Sequence, residues 1–568
     1  MSADAHRHVS PDALACKSFP FSVFQFIQGD EYRDHDAIHR CFSLARMYGA
    51  KMFVEENICI SRESFMYQDM EDFCAIQGDD SLDGTARRIS FWQTDVSSCP
   101  DAEEQLNSLP DSDCLGYMIL QKIGVHLKGW IGYQRRWIIY EAVLNGGDLQ
   151  HGVIPRQSIF SFHVGSCKRI IRGRLYCQQN GVTTVCAHVA IRSLLASLSP
   201  ERDVSYREIN KYAREAGSLD FNNGLSVEQI RNVVHGLGFV FEDWSLVDGK
   251  MPNYHCLYSG VESGGGSLFG FVVTKDERRE ICPQHIIPLF GHSFNKHIWV
   301  NEATGLYFQK EADDIGAFTS DNWISTFIGH DDNVGPNIYI PRYYVERIAA
   351  SYAMAILPKK LPALPACDSY AVGAKVEREA VDWLRCYVRP WLREWQYWAE
   401  KQDWRNSWLS RLLDAIPESS SIPANVVLHC LFVERDKYLS WLGNSEDWGG
   451  VRETPERIAE VKQRLPDNLW IVEFSVPHLF PANERKVGEL VFDAEHMRRQ
   501  SLKDDEPVSD AVRKERNKAF VMIRIPCRYI FPLLSDKDNN DECACTELPS
   551  VITSHMPCLV YPDTIRVG

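Results

Sequence analysis

The segment "QQNGVTTVCAHVAIRSLLASL", residues 178–198, changes from turn-forming to strongly apolar residues at Cys186. Beyond this cysteine, apolar residues recur at three- and four-residue steps, at Ala187, Ala190, Ile191, Leu194, Leu195 and Leu198. This spacing predicts a helix that is buried along one wide face. The chain must therefore fold around this helix, and Cys186 lies where the helix begins.

The length and charge of the chain limit what it can be. At 568 residues it is expected to form two to four domains of roughly 150 residues each. A composition of 45% hydrophobic and 24% charged residues is typical of a soluble globular protein. The net charge of -16 argues against a broad nucleic-acid-binding face, because phosphate neutralisation requires clustered Lys and Arg.

The N-terminal residues and the cysteines indicate a compartment. Residues 1–18 are polar and charged where a signal sequence needs an apolar run. No stretch approaches the roughly 20 apolar residues of a membrane-spanning helix. The 18 cysteines are accordingly interpreted as reduced thiols, and we expect a cytoplasmic protein that is not inserted in a membrane.

Strand-like and helix-like patterns alternate in blocks and predict an α+β protein with three parts. Residues 1–105 are expected to form a small α+β region, 106–350 a central α+β domain, and 368–568 an accessory α+β domain. The proline-rich "LPKKLPALPAC" at 357–367 predicts a linker. The accessory domain is expected to be a separate folding unit for recognition. The alternative is that it packs on the central domain, with the helical stripe of Trp391, Trp395 and Trp398 as the shared interface.

Cys186 can be a nucleophile or a core residue. Thr183 or Thr184 could cap the helix, which places Cys186 in or next to the first turn. Unpaired N–H groups and the helix dipole stabilise a thiolate there and can donate to an oxyanion. The alternative is a structural cysteine, since free Cys is often buried. His188 is only two residues away and faces another side, so packing or hydrogen bonding is its expected role.

A thiolate enzyme needs an imidazole from elsewhere in the chain. His285 directly precedes the apolar run "IIPLF", which ends at Gly291. This pattern predicts an imidazole at the mouth of a core strand, with a structural histidine as the alternative. His292 and His297 are rivals in the same segment. In a regular strand side chains alternate, so His292 is expected to face the side opposite to His285.

In this order and context, the elements resemble the papain-like cysteine hydrolase superfamily. Its members carry a Gln shortly before a Cys at the start of a buried helix. A His later opens a strand of five apolar residues and Gly, and an Asn or Asp follows on the next strand. The matching residues here are Gln179 or Gln178, Cys186, His285 and Asn301, the last at the end of "HIWVN". The resemblance covers roughly residues 110–345.

Two positions depart from the family pattern, and one role is open. Gln179 and Gln178 stand seven and eight residues before the cysteine, where papain has six, and Asn180 occupies that position. Ala187 follows Cys186, where many relatives have Gly. For the residue that orients the imidazole, Asn301 fits by spacing, and the alternatives are Asn295, Glu302, Asp331 and Asp332.

The resemblance implies a papain-like central domain and a thiol peptidase that needs no cofactor and acts on a protein or peptide. Cys186 would attack an amide carbonyl, His285 would take and return the proton, Asn301 would orient the imidazole, and Gln179 would complete the oxyanion hole. Acyl transfer to an amine or glutamine deamidation would use the same Cys–His pair. A different class remains open, a non-catalytic binding or scaffold protein with Cys186 in its core.

Three further motifs carry predictions. Ser226 and Gln229 form a capping-box signature in "LSVEQIRNVVHGLGF". The glycine run in "SGVESGGGSLFG", residues 259–270, lacks the Lys of a phosphate loop and predicts a flexible hairpin or a lid. A zinc set of Cys543, Cys545, His555 and Cys558 has a Cys-x-Cys gap shorter than usual, so no metal is predicted.

Overall fold

The computed structural model has helices and mainly antiparallel sheets, which confirms the predicted α+β class. It describes residues 5–19, 36–77, 84–126, 133–145, 152–179, 185–199, 203–219, 224–243, 253–275, 280–294, 317–347, 350–357, 372–390, 426–447, 449–476, 485–501, 519–532, 545–552, 556–559 and 565–566, with the single residues 393, 413, 415, 416 and 554.

The first part of the chain builds a six-stranded antiparallel sheet. Its helices are α1 (Asp36–Met47), α2 (Phe65–Gln77) and α3 (Ala102–Ser108). The strands in this part of the chain are β1 (Pro11–Ser18), β2 (Met52–Cys59), β3 (Thr85–Trp92), β4 (Cys114–His126), β5 (Tyr133–Leu144), β6 (Val153–Ile154), β7 (Ser158–Val164), β8 (Cys167–Gly173) and β9 (Leu175–Tyr176). The sheet order is β1-β2-β3-β4-β5-β9, and β7 and β8 form a separate hairpin. The predicted boundary at residue 105 therefore falls inside one sheet, because β4, β5 and β9 continue it.

The middle of the chain adds a helical block and a second antiparallel sheet. The helices are α4 (Cys186–Leu198), α5 (Tyr206–Ala216), α6 (Val227–Gly236), α7 (Asn253–Glu262) and α8 (Arg342–Arg347). The strands are β10 (Val240–Asp243), β11 (Ser267–Lys275), β12 (Glu280–Phe294), β13 (Phe318–Thr319), β14 (Ile324–Asp331), β15 (Gly335–Pro341) and β16 (Ala350–Leu357). The order is β10-β16-β11-β12-β14-β15, and β6 pairs with β12.

The C-terminal part builds a third sheet, which is joined to the middle of the chain. Its helices are α9 (Val372–Trp383), α10 (Arg435–Asn444), α11 (Pro455–Lys462) and α12 (Ala494–Ser501). Its strands are β17 (Val427–Glu434), β18 (Asn468–Ser475), β19 (Arg485–Lys486), β20 (Gly488–Asp493), β21 (Phe520–Ile525), β22 (Arg528–Pro532), β23 (Cys545–Pro549), β24 (Met556–Pro557) and β25 (Ile565–Arg566). The order is β13-β17-β18-β20-β21-β22-β23, and β25 pairs with β6.

Two strand pairings therefore cross the predicted linker. Strand β13 precedes residues 357–367 but pairs in parallel with β17, which follows them. One apolar cluster includes Val240 and Leu357 together with residues of β17 and β18. These contacts favour the alternative in which the C-terminal part packs on the rest of the chain. Trp391, Trp395 and Trp398 lie outside the described residues, so the predicted Trp interface stays a prediction.

Helix α4 lies between the first two sheets. Ala190 and Leu194 pack in one apolar cluster with Phe290 of β12, while Val189 and Ala196 pack in another with residues of the first sheet. All 13 residues of α4 are buried, whereas the sequence predicted burial along one face. The difference arises because the first sheet covers the face that carries the polar residues: Arg192 donates to the Tyr140 carbonyl at 3.3 Å and Ser197 accepts the Leu175 N–H at 2.9 Å.

The glycine run after α7 is neither a hairpin nor a lid. It forms a buried turn between α7 and β11, which starts at Ser267. A Cβ built on Gly265 would meet the Ile356 carbonyl oxygen at 1.6 Å, and one on Gly266 would meet the Leu289 oxygen at 2.7 Å. Backbone passes so close here that no side chain fits, which explains the glycines by packing. Within the described ranges, we find no helix with the length and apolarity to cross a membrane.

Candidate active site

Cys186 is the first residue of α4, as the sequence predicted. The N-cap is Val185, not Thr183 or Thr184, and no side chain caps the helix from that position. The Val189 N–H closes the first helical turn on the Val185 carbonyl at 3.0 Å. The side chain of valine has no hydrogen-bond acceptor. The N-cap side chain therefore leaves the first-turn N–H groups free for other acceptors.

The Cys186 thiol is a neighbour of the His285 ring and contributes to raising the pKa of that ring. Cys186 is buried, and His285 is partly buried, with 14% of its side chain exposed. The edge of the ring packs on Phe271, with 5.4 Å between centroids. Strand β12 therefore brings its histidine to the start of α4 across 99 residues of sequence.

Two neighbouring carboxylates face His285 from the end of β14 and the turn after it. An oxygen of Asp331 and an oxygen of Asp332 each lie 3.4 Å from His285 Nε2. Burial alone would lower the pKa of His285, but hydrogen bonding with Asp331 and Cys186 and the charge of Asp332 raise it to about 10. The imidazole is therefore held as a cation at neutral pH.

The two aspartates differ in their protonation. Burial works to raise the pKa of Asp331, but His285 and the backbone N–H groups of Asn333 and Val334, which donate to its Oδ1 at 2.8 and 3.1 Å, lower it. Burial raises the pKa of Asp332 to about 7, despite the opposing charge of His285. Asp331 is thus the permanent anion of the pair, and Asp332 takes up a proton near neutral pH.

The residue expected to orient the imidazole cannot be compared with these acids. Asn301, its alternatives Asn295 and Glu302, and the rival base His297 all lie outside the described residues. Asp331 and Asp332 are the sequence-predicted alternatives that the described structure brings to His285.

The two glutamines before Cys186 have different partners. The Gln178 Oε1 accepts the Ile139 N–H at 2.9 Å, which fixes that side chain to β5. The Gln179 amide donates to the Asn333 side-chain oxygen, and the Asn333 amide donates to Asp332 at 3.3 Å. Gln179 is therefore the glutamine linked to the turn that carries the acids. Asn333 was missed by sequence reasoning, because only its contact with Gln179 marks it.

His292 has a different environment from His285. Its buried ring bonds through Nε2 to Glu262 of α7 and packs on Tyr258 at 5.2 Å. Seven strand residues separate the two histidines by roughly 20 Å. The prediction that His292 faces away from His285 assumed a regular strand, and a register shift between Leu289 and Gly291 interrupts the strand, so that assumption does not hold. His292 is distinguished from His285 by the distance between them along the strand and by its different partners.

His188 has the hydrogen-bonding role expected for it. Its Nε2 bonds to Asn210 Oδ1 at 2.8 Å, and burial lowers the pKa of the ring to about 4. A neutral imidazole bonded to an amide stabilises the packing of α4 on α5 and does not serve as a base near neutral pH.

The zinc set that the sequence offered, and that we did not predict to bind metal, is not brought together by those of its members that the structure describes. Cys558 lies within 4.8 Å of His429 and Glu473. Cys545, the first residue of β23, packs instead against an apolar cluster. Cys543 and His555 are outside the described residues. The His429 ring bonds to Glu473 at 2.7 Å and to Glu262 at 3.0 Å. With a carboxylate on each nitrogen, His429 fits an imidazolium better than a metal ligand, which needs a free lone pair.

The fold thus joins a cysteine at a helix start, a charged histidine and two carboxylates into one partly buried cluster, the Cys186–His285–Asp331–Asp332 cluster. No family model, curated protein or solved structure matches this chain.

Proposed function

We propose that this protein is a cysteine hydrolase that cleaves an amide bond of a protein or peptide through a thioester, as the papain-like resemblance implies. The observation that carries the proposal is the proximity of Cys186, at the first position of α4, to His285, which itself faces two carboxylates at 3.4 Å. A nucleophile, a base and an orienting group in that order are what thioester chemistry requires.

The proposed reaction has two steps. The Cys186 thiolate forms a bond to the carbonyl carbon, and first-turn N–H groups of α4 stabilise the resulting oxyanion. The His285 imidazolium gives its proton to the amine as the C–N bond breaks, which leaves a thioester. His285 then takes a proton from water, the hydroxide attacks the thioester, and the acid leaves while the sulfur regains its thiolate state.

The surrounding residues have supporting roles in this proposal. Asp331, as the permanent anion, holds the imidazolium in place, and Asp332 adds a second charge above neutral pH. Asn301 remains the residue expected from the resemblance for the orienting role. The Gln179 amide would join the oxyanion hole only after leaving Asn333, so substrate binding would have to rearrange the turn. A cytoplasmic, reducing compartment suits a thiol nucleophile and completes the proposal.

Alkylation with iodoacetamide tests the nucleophile. At pH 7 an ordinary thiol is a few per cent thiolate, so a thiolate paired with an imidazolium should react about tenfold faster or more. The rate at Cys186 is measured by mass spectrometry of the digested protein, with the exposed thiol of Cys59 as the internal control. Labelling of Cys186 no faster than Cys59 would remove the enzyme proposal.

The same experiment distinguishes a second candidate function. Cys186 is only 7% exposed, an observation that also suits a scaffold protein with a core cysteine. A Cys186→Ser variant that keeps all partner binding, together with an inert Cys186, would favour the scaffold. Acyl transfer or deamidation would leave Cys186 reactive, and product analysis with an added amine separates them from hydrolysis.

A further inference from the structure

A cavity of about 50 Å³ opens beside the start of α4. Val185 and Val189, one helical turn apart, form one wall, and Val185 directly precedes Cys186. Phe73 and Ile138 supply further apolar walls. Consecutive Cα atoms are about 3.8 Å apart, so the cavity lies against the residue before the nucleophile, while the Cys186 side chain itself packs in the apolar cluster on another face of α4.

Two hydrogen-bond acceptors in the cavity have no partner among the described residues. They are Asp69 Oδ1 on α2 and Gln121 Oε1 on β4, and both side chains are 7% exposed. The other Asp69 oxygen accepts the Tyr140 hydroxyl at 2.9 Å, which fixes the carboxyl group in the cavity. Buried acceptors without a donor are rare and destabilising, so two of them in one cavity indicate a site for a donor.

The charges around the cavity favour a cation. The nearby Arg192 guanidinium pairs with Asp203 at 3.0 Å and Glu141 at 3.4 Å, and Arg7 pairs with Glu141 at 2.7 Å. The two guanidinium groups balance these two carboxylates, the His6 ring also lies 2.9 Å from Glu141, and ionised Asp69 adds a further negative charge. Burial raises the pKa of Asp69 to about 7, against the lowering effect of Arg192. A cation bound in the cavity would take the place of the proton on the Asp69 carboxyl group.

The size of the cavity restricts the cation. A water molecule needs roughly 10–15 Å³ measured in this way, and a cavity of about 150 Å³ takes benzene. The present cavity therefore holds a group of a few heavy atoms. An ammonium with its last methylene groups fits, since the methylenes meet the apolar walls and the three N–H donors meet Asp69 and Gln121.

We propose that this cavity is a specificity pocket that binds the ammonium group of a lysine side chain in the substrate, through Asp69 and Gln121. The inference rests on the proposed function, because the pocket selects substrate only if Cys186 is the nucleophile.

Covalent labelling by peptide probes tests the pocket on the full-length protein. Tripeptidyl acyloxymethyl ketones carry lysine, norleucine, glutamine or glutamate at one position at a time, and the rate of modification of Cys186 is measured for each. We expect the lysine probe to react 10- to 100-fold faster than the norleucine probe at one position, because norleucine leaves both acceptors unpaired. The Asp69→Asn and Gln121→Met variants should each lose most of this preference.

The control is Asp72→Asn, the same change of charge on α2 at an exposed residue that pairs with Arg207. Its lysine preference should equal that of the natural protein, and loss of preference in this control would overturn the pocket in favour of general surface charge. Equal rates for all probes, or a faster glutamine probe, would overturn the pocket but leave the hydrolase. If no probe modifies Cys186 and iodoacetamide does not either, both proposals are wrong.

Discussion

At the scale of single residues, partners distinguish the histidines of β12. His285 lies near a thiol and near two aspartates at the end of β14, whereas His292 and His429 share the carboxylate of Glu262. The sequence offers the same imidazole twice within eight residues. The role of each ring follows from what the other elements bring to it.

Alanine variants of the two histidines should separate reactivity from stability. We expect His285→Ala to reduce iodoacetamide labelling of Cys186 about tenfold or more, because the thiolate loses its cationic partner. His292→Ala should keep the labelling rate but lose about 2–4 kcal/mol of unfolding free energy in urea, since it leaves Glu262 buried with one partner fewer. The reverse pattern, with labelling lost in His292→Ala alone, would reassign the base.

Asparagine variants of the two acids should differ in their pH dependence. Asp331 is ionised throughout the neutral range, whereas Asp332, with its pKa raised to about 7 by burial, is protonated below that pH. Removing a carboxylate lowers the pKa of His285 only at pH values where that carboxylate is charged. Asp331→Asn should therefore slow Cys186 labelling from pH 5 to 9, and Asp332→Asn mainly above pH 7.

Stopped alkylation series at fixed pH values measure both profiles. Asn301→Ala is the matched comparison, because the resemblance gives Asn301 the same role. A flat Asp331→Asn profile combined with a large loss in Asn301→Ala would show that the amide, not the acid, orients His285.

At the scale of elements, local signals and packing signals gave different outcomes. The capping box of α6 is present as predicted, with Ser226 accepting the Gln229 N–H at 3.2 Å and Gln229 accepting the Ser226 N–H at 2.9 Å. The prediction that the glycine run before β11 forms a lid was wrong, because these glycines allow the backbone of β16 to approach closely. Capping depends on neighbours in sequence, whereas close approach depends on a strand about 90 residues away.

The glycine turn makes a prediction at this scale. Gly265→Ala should lower the unfolding free energy by at least about 2 kcal/mol, because its Cβ would overlap the Ile356 carbonyl and displace β16. Gly443→Ala in α10 is the control, since its Cβ meets only the end of the Ile458 side chain at 3.0 Å and a helical glycine gains up to about 1 kcal/mol on such a change. Thermal or urea unfolding compares the two variants, and an unchanged Gly265→Ala protein would contradict the buried turn.

At the scale of the whole molecule, buried charges join the second and third sheets. Basic and acidic side chains alternate along a chain of contacts that joins the two sheets, through His292, Glu262, His429, Glu473, Lys486, Glu489 and Arg524. The Phe432 N–H also donates to Ser263 at 3.0 Å, just after α7. Separation of the sheets would leave Glu262 and Glu473 buried without full compensation, which costs several kcal/mol.

We therefore predict that the C-terminal part is not an independent folding unit. Protease cleavage between residues 358 and 371 should give two fragments that elute together in gel filtration, and a chain that ends at residue 357 should aggregate. The shortened chain should aggregate because truncation exposes the apolar cluster that both parts share and removes β17 from beside β13. Two fragments that elute separately and keep their circular dichroism would restore the separate domain.

The sequence by itself determined the α+β class, the position of the helix that begins at Cys186, the strand that contains His285 (which begins at Glu280, not at the histidine as predicted) and the capping box of α6. Each depends on a hydrophobic period or a motif contained within about 20 residues, and such local patterns favour one secondary structure directly. Only the tertiary structure decided that α4 is buried on all sides, that β4 and β5 continue the first sheet, and that β13 joins the third. It also brought Asp331 and Asp332 to His285 and Asp69 and Gln121 to the start of α4. These pairings join residues far apart in the chain, and which strands and side chains meet is set by packing of the whole core.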